Sequence, residues 1–380
     1  MSVNFKIAVI FAAILAVYGL LNMYIGWHGA LLLDHAGLSS WKPWFWTVFA
    51  IVALGYVLGR IRPIPGPLRR LLKVAGAVYF AVFEFSLLML PAADVAGLLL
   101  AMAGVKPDAY VPALGGAVIA ALLVLLLVGS YNAWSPAVRR YRLDIGKKAG
   151  NHRELKIAMV SDLHLGNIVG RRHLRRLAKL VEEMRPDLIV FAGDILDDDI
   201  EPFIRNNMSE ELARLKAPLG IYAVLGNHEY YGGHIAEHAR QMDRLGIRLL
   251  RDETVLVDDA FYIVGRKDRT AESADPDKRK DFKTLLSGLD LSRPVIVLDH
   301  QPNQFGIAAA AGVDVLLCGH THRGQFAPNH WITRRVFELD WGYMRKGNMH
   351  VVVSSGFGTW GPPIRLASRC ELVELTLNFA

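Results

Sequence analysis

Leu155-Lys156-Ile157-Ala158-Met159-Val160-Ser161-Asp162-Leu163-His164 is a short apolar run that stops on an aspartate and a histidine two residues apart. A run of this length, bounded by polar residues, reads as a strand buried on both faces. Its chemistry-bearing residues then fall just past the carboxyl end, where ligands gather in open α/β sheets. The arrangement recurs down the chain. Gly193-Asp194 follows the run 187–192, Gly226-Asn227-His228-Glu229 follows 221–225, Asp299-His300 follows 295–298, and Gly319-His320-Thr321-His322 follows 313–317. Further strands are expected at 254–257, 261–264, 350–354 and 372–377, with helices at 172–185, 208–215, 233–244, 277–288 and 303–311. Strands alternating with helices predict an α/β unit over residues 151–380, long enough to bury its own core.

Each motif has a structural reading of its own. An aspartate at a strand end caps a turn, an asparagine there takes a left-handed conformation, and an Asp-x-His pair on a loop is solvated. In extended chain, however, residues i and i+2 point the same way, which brings Asp162 and His164 to one ion. By the same reasoning His320 and His322 lie on one side of an extended segment. Imidazoles, carboxylates and one amide at successive strand ends form a nitrogen and oxygen donor set suited to two adjacent divalent ions. Two such ions are machinery for attack at phosphorus. Asp197, Asp198 and Asp199 read as solvated or capping, while Asp299 and Glu229 read as groups that orient imidazoles from behind. The basic run Arg171-Arg172-His173-Leu174-Arg175-Arg176 reads as a solvated face, or as one turned to a phosphate or lipid headgroup. Arg365 is a weaker candidate of the same kind. Cys318 and Cys370 lie in no Cys-x-x-Cys pattern, so neither a zinc ribbon nor a redox pair is expected.

The first 150 residues are different. Four apolar stretches, 5–27, 43–59, 72–90 and 112–130, approach the ~20 residues needed to cross a bilayer. A transmembrane domain of about four helices plus a linker is therefore expected over 1–150. The first stretch has only Lys6 as a charged n-region and no clear small-x-small cleavage site, so it reads as a retained span. Glu84 is the one carboxylate expected well inside a span, and it reads as a helix contact. With so few polar residues in the spans, an anchor or a platform for a lipid-like substrate is favoured over a transport path. Residues 91–104 leave room for an additional membrane element.

Of 380 residues, 43 are Lys or Arg and 36 are Asp or Glu, giving a net charge of +7. The excess is confined to 1–150; the part carrying the chemistry is slightly acidic, which argues against nucleic acid as a partner. Arg60, Arg62, Arg69, Arg70 and Lys73 separate the second and third stretches, and Arg139, Arg140, Arg142, Lys147 and Lys148 follow the fourth. The other two connections carry only Lys42 and Lys106. The positive-inside rule then places both ends, and the catalytic half, on the cytoplasmic side of an inner membrane.

The ordered motifs resemble the calcineurin-like metallophosphoesterase superfamily, and residues 323–325 and 354–365 look like its membrane-associated bacterial branch. The resemblance covers 151–380. It implies an αββα sandwich with a dinuclear site at its edge. One divalent ion (Mn, Fe or Zn) would be bound by Asp162, His164, Asp194 and His322, and the second by Asp194, Asn227, His300 and His320. His228 would contact phosphate and assist the leaving oxygen. That branch more often has glycine where Arg323 stands. The expected activity is a membrane-anchored phosphoesterase that opens a phosphodiester or pyrophosphate with a metal-bridged hydroxide, with a lipid-linked substrate favoured and the bilayer as partner. A phosphomonoesterase of the same fold, and a membrane sensor or transporter with a phosphate-binding regulatory domain, are the alternatives.

Overall fold

The computed structural model describes residues 3–61 and 63–380, and leaves the side chains of residues 3, 4, 6 and 7 undescribed. Arg62 and the side chain of Lys6, both used in the charge reading, therefore lie outside the described residues. The chain divides into two compact units, Met1–Val128 and Gly129–Ala380.

The first unit is helical: α1 (Val3–His35), α2 (Lys42–Ala53), α3 (Gly55–Leu58), α4 (Gly66–Met102) and the start of α5 (Pro107–Trp134). Among the described residues, three helices are long and apolar enough to cross a membrane: Ala8–His35, Gly66–Met102 and Pro107–Trp134. The stretch 43–59 is not one helix but two, α2 and α3, meeting at Leu54. The Tyr18 hydroxyl donates to Ala53 O at 2.7 Å, occupying a backbone carbonyl where the α2 ladder stops. α3 then runs so close to α4 that a Cβ on Gly76 would stand 2.0 Å from Tyr56 N, and one on Gly55 2.8 Å from Leu72 O. Small residues permit that approach between apolar helices. Residues 91–102 form no separate element; α4 continues through Pro91 to Met102. The longer helix brings in a second carboxylate, Asp94, which accepts from the Tyr24 hydroxyl at 2.5 Å and lies 3.3 Å from His28 Nε2.

The second unit carries twelve strands in two sheets. In chain order they are β1 (Ala137–Ile145), β2 (Glu154–Val160), β3 (Leu188–Ala192), β4 (Ile221–Val224), β5 (Ile247–Leu249), β6 (Glu253–Val257), β7 (Phe261–Gly265), β8 (Val295–Leu298), β9 (Val315–Cys318), β10 (Gly342–Lys346), β11 (Met349–Val353) and β12 (Glu371–Phe379). One sheet runs β1-β12-β2-β3-β4-β5 and the other β10-β11-β9-β8-β7-β6. Helices α6 (Arg171–Met184), α7 (Glu201–Arg205), α8 (Ser209–Leu212), α9 (Asn227–Gly232) and α10 (Ile235–Arg244) accompany the first sheet in sequence. Helices α11 (Ala271–Ala274), α12 (Phe282–Leu286), α13 (Phe305–Ala310) and α14 (His330–Val336) accompany the second.

Three apolar clusters define the layers. Leu174, Leu177 and Val181 of α6 pack on Ala158, Ile189 and Phe191 of the first sheet. Ile157, Met159 and Val190 meet Ile263, Ile296 and Leu317 between the sheets. Phe282 and Phe305 cover Val297 and Leu316 on the outer face of the second. The result is an αββα sandwich, with β2, β3, β4, β8 and β9 buried on both faces. That explains why their sequences are unbroken apolar runs.

β1 lies within the stretch read as membrane linker. It pairs in parallel with β12 from Ala137↔Glu371 to Ile145↔Phe379, and it is an edge strand, so only part of it is apolar. The basic residues read as flanking the fourth stretch lie here or just beyond, and three of them meet carboxylates of the same unit. Arg140 is 3.3 Å from Glu374, Arg139 is 3.5 Å from Glu371, and Lys147 is 2.6 Å from Asp314.

Candidate metal centre

The turns leaving β2, β3, β4, β8 and β9 carry the motifs, and their backbone is not extended. Asp162, His164, Asp194, His320 and His322 have φ of 52°, 47°, 51°, 74° and 48°. L residues visit that left-handed region at a cost of order 1 kcal/mol, and such strain clusters at functional sites. The i, i+2 argument for Asp162 and His164 therefore reached the right pair through the wrong geometry: successive left-handed residues, not a straight strand, turn the side chains. The same curl separates His320 from His322. They do not share a side; each joins a different cluster.

Those clusters are Asp162, His164 and His322, and Asp194, His300 and His320, with a third set of His164, Asp194 and His228 linking them; within each, one ligand atom per residue lies within 4.8 Å of the others. In the first, His164 Nε2 faces His322 Nε2 at 3.0 Å, and His322 Nε2 is 3.5 Å from Asp162 Oδ1. In the second, His300 Nε2 is 3.1 Å from Asp194 Oδ2, while Asn227 Oδ1 stands 3.1 Å from His300 Nε2 and 2.8 Å from His320 Nδ1. All seven residues proposed as ligands are brought together. Glycines make room: a Cβ on Gly226 would stand 2.1 Å from Asp194 Oδ1, and one on Gly319 2.3 Å from Asp162 Oδ2.

The donor chemistry fits cations. Burial pushes His164 down to about 3, His320 down to about 4, and His322 well below the usual range. These imidazoles are neutral with lone pairs to offer, as metal ligands must be. Burial opposes ionisation of Asp194, yet His300, His164 and His228 outweigh it and hold the carboxyl well below its ordinary value. Burial would likewise lower His300, but Asp194 beside it raises it well above 6.5. Its Nδ1–H donates to Ala192 O at 2.8 Å, which aims Nε2 inward. Two facing imidazole nitrogens, and a carboxylate that groups with His300 and His320 on one side and His164 on the other, imply a dinuclear divalent centre.

Around it, several readings change. Asp198, read as solvated or capping, accepts from His228 Nδ1 at 2.7 Å. Burial would lower His228, but the bond to Asp198 and the charge of Asp194 carry it up to about 9. Asp199 does cap, accepting from Glu201 N at 3.0 Å. Glu229 touches no imidazole; it accepts from the backbone N–H of Gly226 at 2.7 Å, Leu196 at 2.9 Å and Asp194 at 3.2 Å, tying two motif turns together. Asp299 faces away to Arg279 and to Arg266 at 3.2 Å.

Arg365 is wholly buried and presents nothing to a substrate. Its guanidinium donates to Ser355 O at 2.6 Å and Gly358 O at 2.7 Å, with His322 Nδ1 at 3.0 Å. Arg323 has φ of 52°, a left-handed conformation that glycine adopts most freely, and its guanidinium lies 4.0 Å from the Trp341 ring. The basic start of α6 is largely paired: Arg171 is 2.7 Å from Glu210 and 3.0 Å from Glu211, and Arg175 is 3.2 Å from Glu211. Asp198 was illegible within its acidic run; its signal is its place one turn after Asp194, opposite His228.

With this geometry in hand, residues 155–324 match the profile of the calcineurin-like phosphoesterase family. An uncharacterized metallophosphoesterase from Aquifex aeolicus is 32% identical over 262 residues, covering 68% of this chain and 98% of that protein. This chain belongs to the calcineurin-like phosphoesterase family. Proteins described as transmembrane with a metallophosphoesterase domain, from Danio rerio and Bos taurus, are 30% and 31% identical over 268 and 271 residues, and the chain spans 61% of each. A solved dimetal phosphatase from Danio rerio overlaps 60% of this chain and 99% of its own at 14% identity, with a TM-score of 0.35. Bacterial and animal sequences thus both share the phosphoesterase unit.

Proposed function

We propose that the chain is a membrane-anchored two-metal phosphoesterase that hydrolyses a phosphodiester or pyrophosphate, with a lipid-linked substrate. The observation that carries this reading is Asp194, a buried carboxylate that groups with His300 and His320 of one cluster and with His164 of the other. Asp162, His164, Asp194 and His322 would hold one ion, and Asp194, Asn227, His300 and His320 the other. When bound, two such ions (Mn, Fe or Zn) acidify a water and offset charge on the non-bridging oxygens. The chain's own part is to fix the ligands and to supply a proton. His228, kept protonated by Asp198, donates to the leaving oxygen.

The charge around the site favours a singly charged phosphorus group. Arg323 is stacked on Trp341 and Arg365 is buried among carbonyls, so neither motif arginine is available to a dianionic monoester. The lipid preference rests on the apolar helices of the first unit, while relatives described as transmembrane support the membrane anchor.

For topology, α2 and α3 act together as a crossing. They span about 25 Å against about 30 Å of hydrocarbon, with Arg60, Arg69, Arg70 and Lys73 following them. Four crossings put the phosphoesterase unit on the cytoplasmic side of the plasma membrane. A reporter fused after Ala380 tests this, and a signal from the opposite side would overturn it.

The activity is tested with bis-p-nitrophenyl phosphate against p-nitrophenyl phosphate, with Mn²⁺ added and then chelated. Faster diester turnover that disappears with the chelator is expected. Preference for the monoester would replace the diesterase reading with a phosphomonoesterase one. Undiminished turnover in Asn227→Ala would remove the second ion.

A further inference from the structure

α14 follows the last metal motif and carries an exposed face with a composition of its own. Trp331 is 64% exposed, Ile332 61% and Val336 67%, although hydrophobic side chains of this size ordinarily fold inward. At helical spacing Trp331 lies over Arg335 and Ile332 over Val336, while Arg334 flanks the face. Thr333 turns inward, donating to Asp340 Oδ2 at 2.7 Å. No carboxylate pairs with Arg334 or Arg335 among the described residues. This contrasts with α6, whose Arg171 and Arg175 are met by Glu210 and Glu211.

The face is also close to the chemistry. Phe337, which ends α14, has its ring 6.0 Å from that of His320. Two more exposed aromatics stand at His228: Tyr231, 65% exposed with its ring 5.7 Å away, and Trp360, 55% exposed and 6.1 Å away.

We propose that α14 is a docking element that seats the catalytic unit on an anionic lipid surface, with Trp331, Ile332 and Val336 entering the interfacial layer and Arg334 and Arg335 on lipid phosphates. The charge decides the occupant. A protein partner would also cover apolar side chains, but two unpaired arginines among a tryptophan, an isoleucine and a valine match the boundary between headgroups and acyl chains. The same chain has helices long and apolar enough to cross a membrane, so such a surface is always within tether reach. Docking there would present amphiphilic phosphoesters to the metal centre without full extraction from the bilayer. This goes beyond the proposed reaction, and its readout does not depend on turnover.

The test uses the full chain in proteoliposomes. A fluorophore is placed at Ile332→Cys, with a second label at Val336→Cys should the first variant fold poorly. Cys318 and Cys370 are buried and do not compete for label. Quenching by lipids brominated in the acyl chain is compared between phosphatidylcholine vesicles and vesicles with about one third phosphatidylglycerol, where each arginine gains attraction to the surface. We expect quenching at 332 or 336 to be about twofold stronger in the anionic vesicles, and the double variant Arg334→Glu/Arg335→Glu to abolish that gain. A label at the exposed Lys283 of α12 should stay unquenched in both. Quenching no greater than at Lys283, or equal in the two vesicle types, would overturn the proposal.

Discussion

At the residue scale, His228 and Asp198 act as a pair. The carboxylate keeps the imidazole charged by a 2.7 Å hydrogen bond, and the charged imidazole is what a poor leaving group needs. Asp198→Asn should therefore lower turnover of an alkyl phosphodiester by about 100-fold. A nitrophenyl ester, whose leaving group departs unprotonated, should lose far less, and metal content by elemental analysis should not change. Equal losses on both esters would detach Asp198 from proton transfer. Gly226 gives a second prediction, because a methyl group there would stand 2.1 Å from Asp194 Oδ1. Gly226→Ala should keep the fold by circular dichroism yet lose bound metal and about 100-fold in turnover, the scale expected when catalytic groups shift by about 1 Å. The ligand residues were legible because each ends an apolar run. Asp198 was not, because three consecutive aspartates look alike until a fold selects the one that reaches His228.

At the scale of elements, α10 carries a buried histidine with no partner. Both ring nitrogens of His238 lack a hydrogen bond, and burial pushes its pKa down to about 4. The folded state holds it neutral, while the unfolded chain takes up a proton below about 6.5. Its contribution to stability is thus complete above that value and is lost as pH falls toward 4. A shift of this size corresponds to about 3 kcal/mol across the window. His238→Leu should flatten the fall in melting temperature between those pH values, measured by thermal denaturation in detergent; an unaltered slope would assign the acid sensitivity to other groups. Strands buried on both faces were readable as plain apolar runs. β5, with three residues, and β10, reading Gly-Tyr-Met-Arg-Lys, were not, since short or edge strands carry a weak period. β1 was hidden by Arg139, Arg140 and Arg142, whose charge looks like a membrane flank until Glu371 and Glu374 are seen beside it. The break between α2 and α3 was hidden for a different reason: Leu54 is apolar, and what interrupts the helix is a tyrosine from α1.

For the whole molecule, β1 is the first strand of the phosphoesterase unit. It supplies nine residues of parallel pairing to β12, and without it β12 would present a bare edge. A fragment of residues 135–380 should run as a monodisperse species in size-exclusion chromatography, whereas 151–380 should aggregate or elute in the void. Identical behaviour of the two would make β1 dispensable. The family unit and its motifs were evident from composition and order alone, because nine of the twelve strands and every ligand position announce themselves as apolar run plus polar end. The number of membrane passes depends instead on packing between helices, which a hydropathy pattern does not contain.

β12 lies between β1 and β2 in its sheet, although it follows every other strand of that sheet in sequence. The first two strands of the unit thus emerge from the ribosome with a gap between them that only residues 371–379 can fill. Closing so long a loop is slow, because the entropy is lost before the contacts form. Until residues 371–379 have been made, the metal-binding half stays incomplete, with open strand edges. During that interval β1 and β2 each expose an unpaired edge, the kind of template on which other chains add strands.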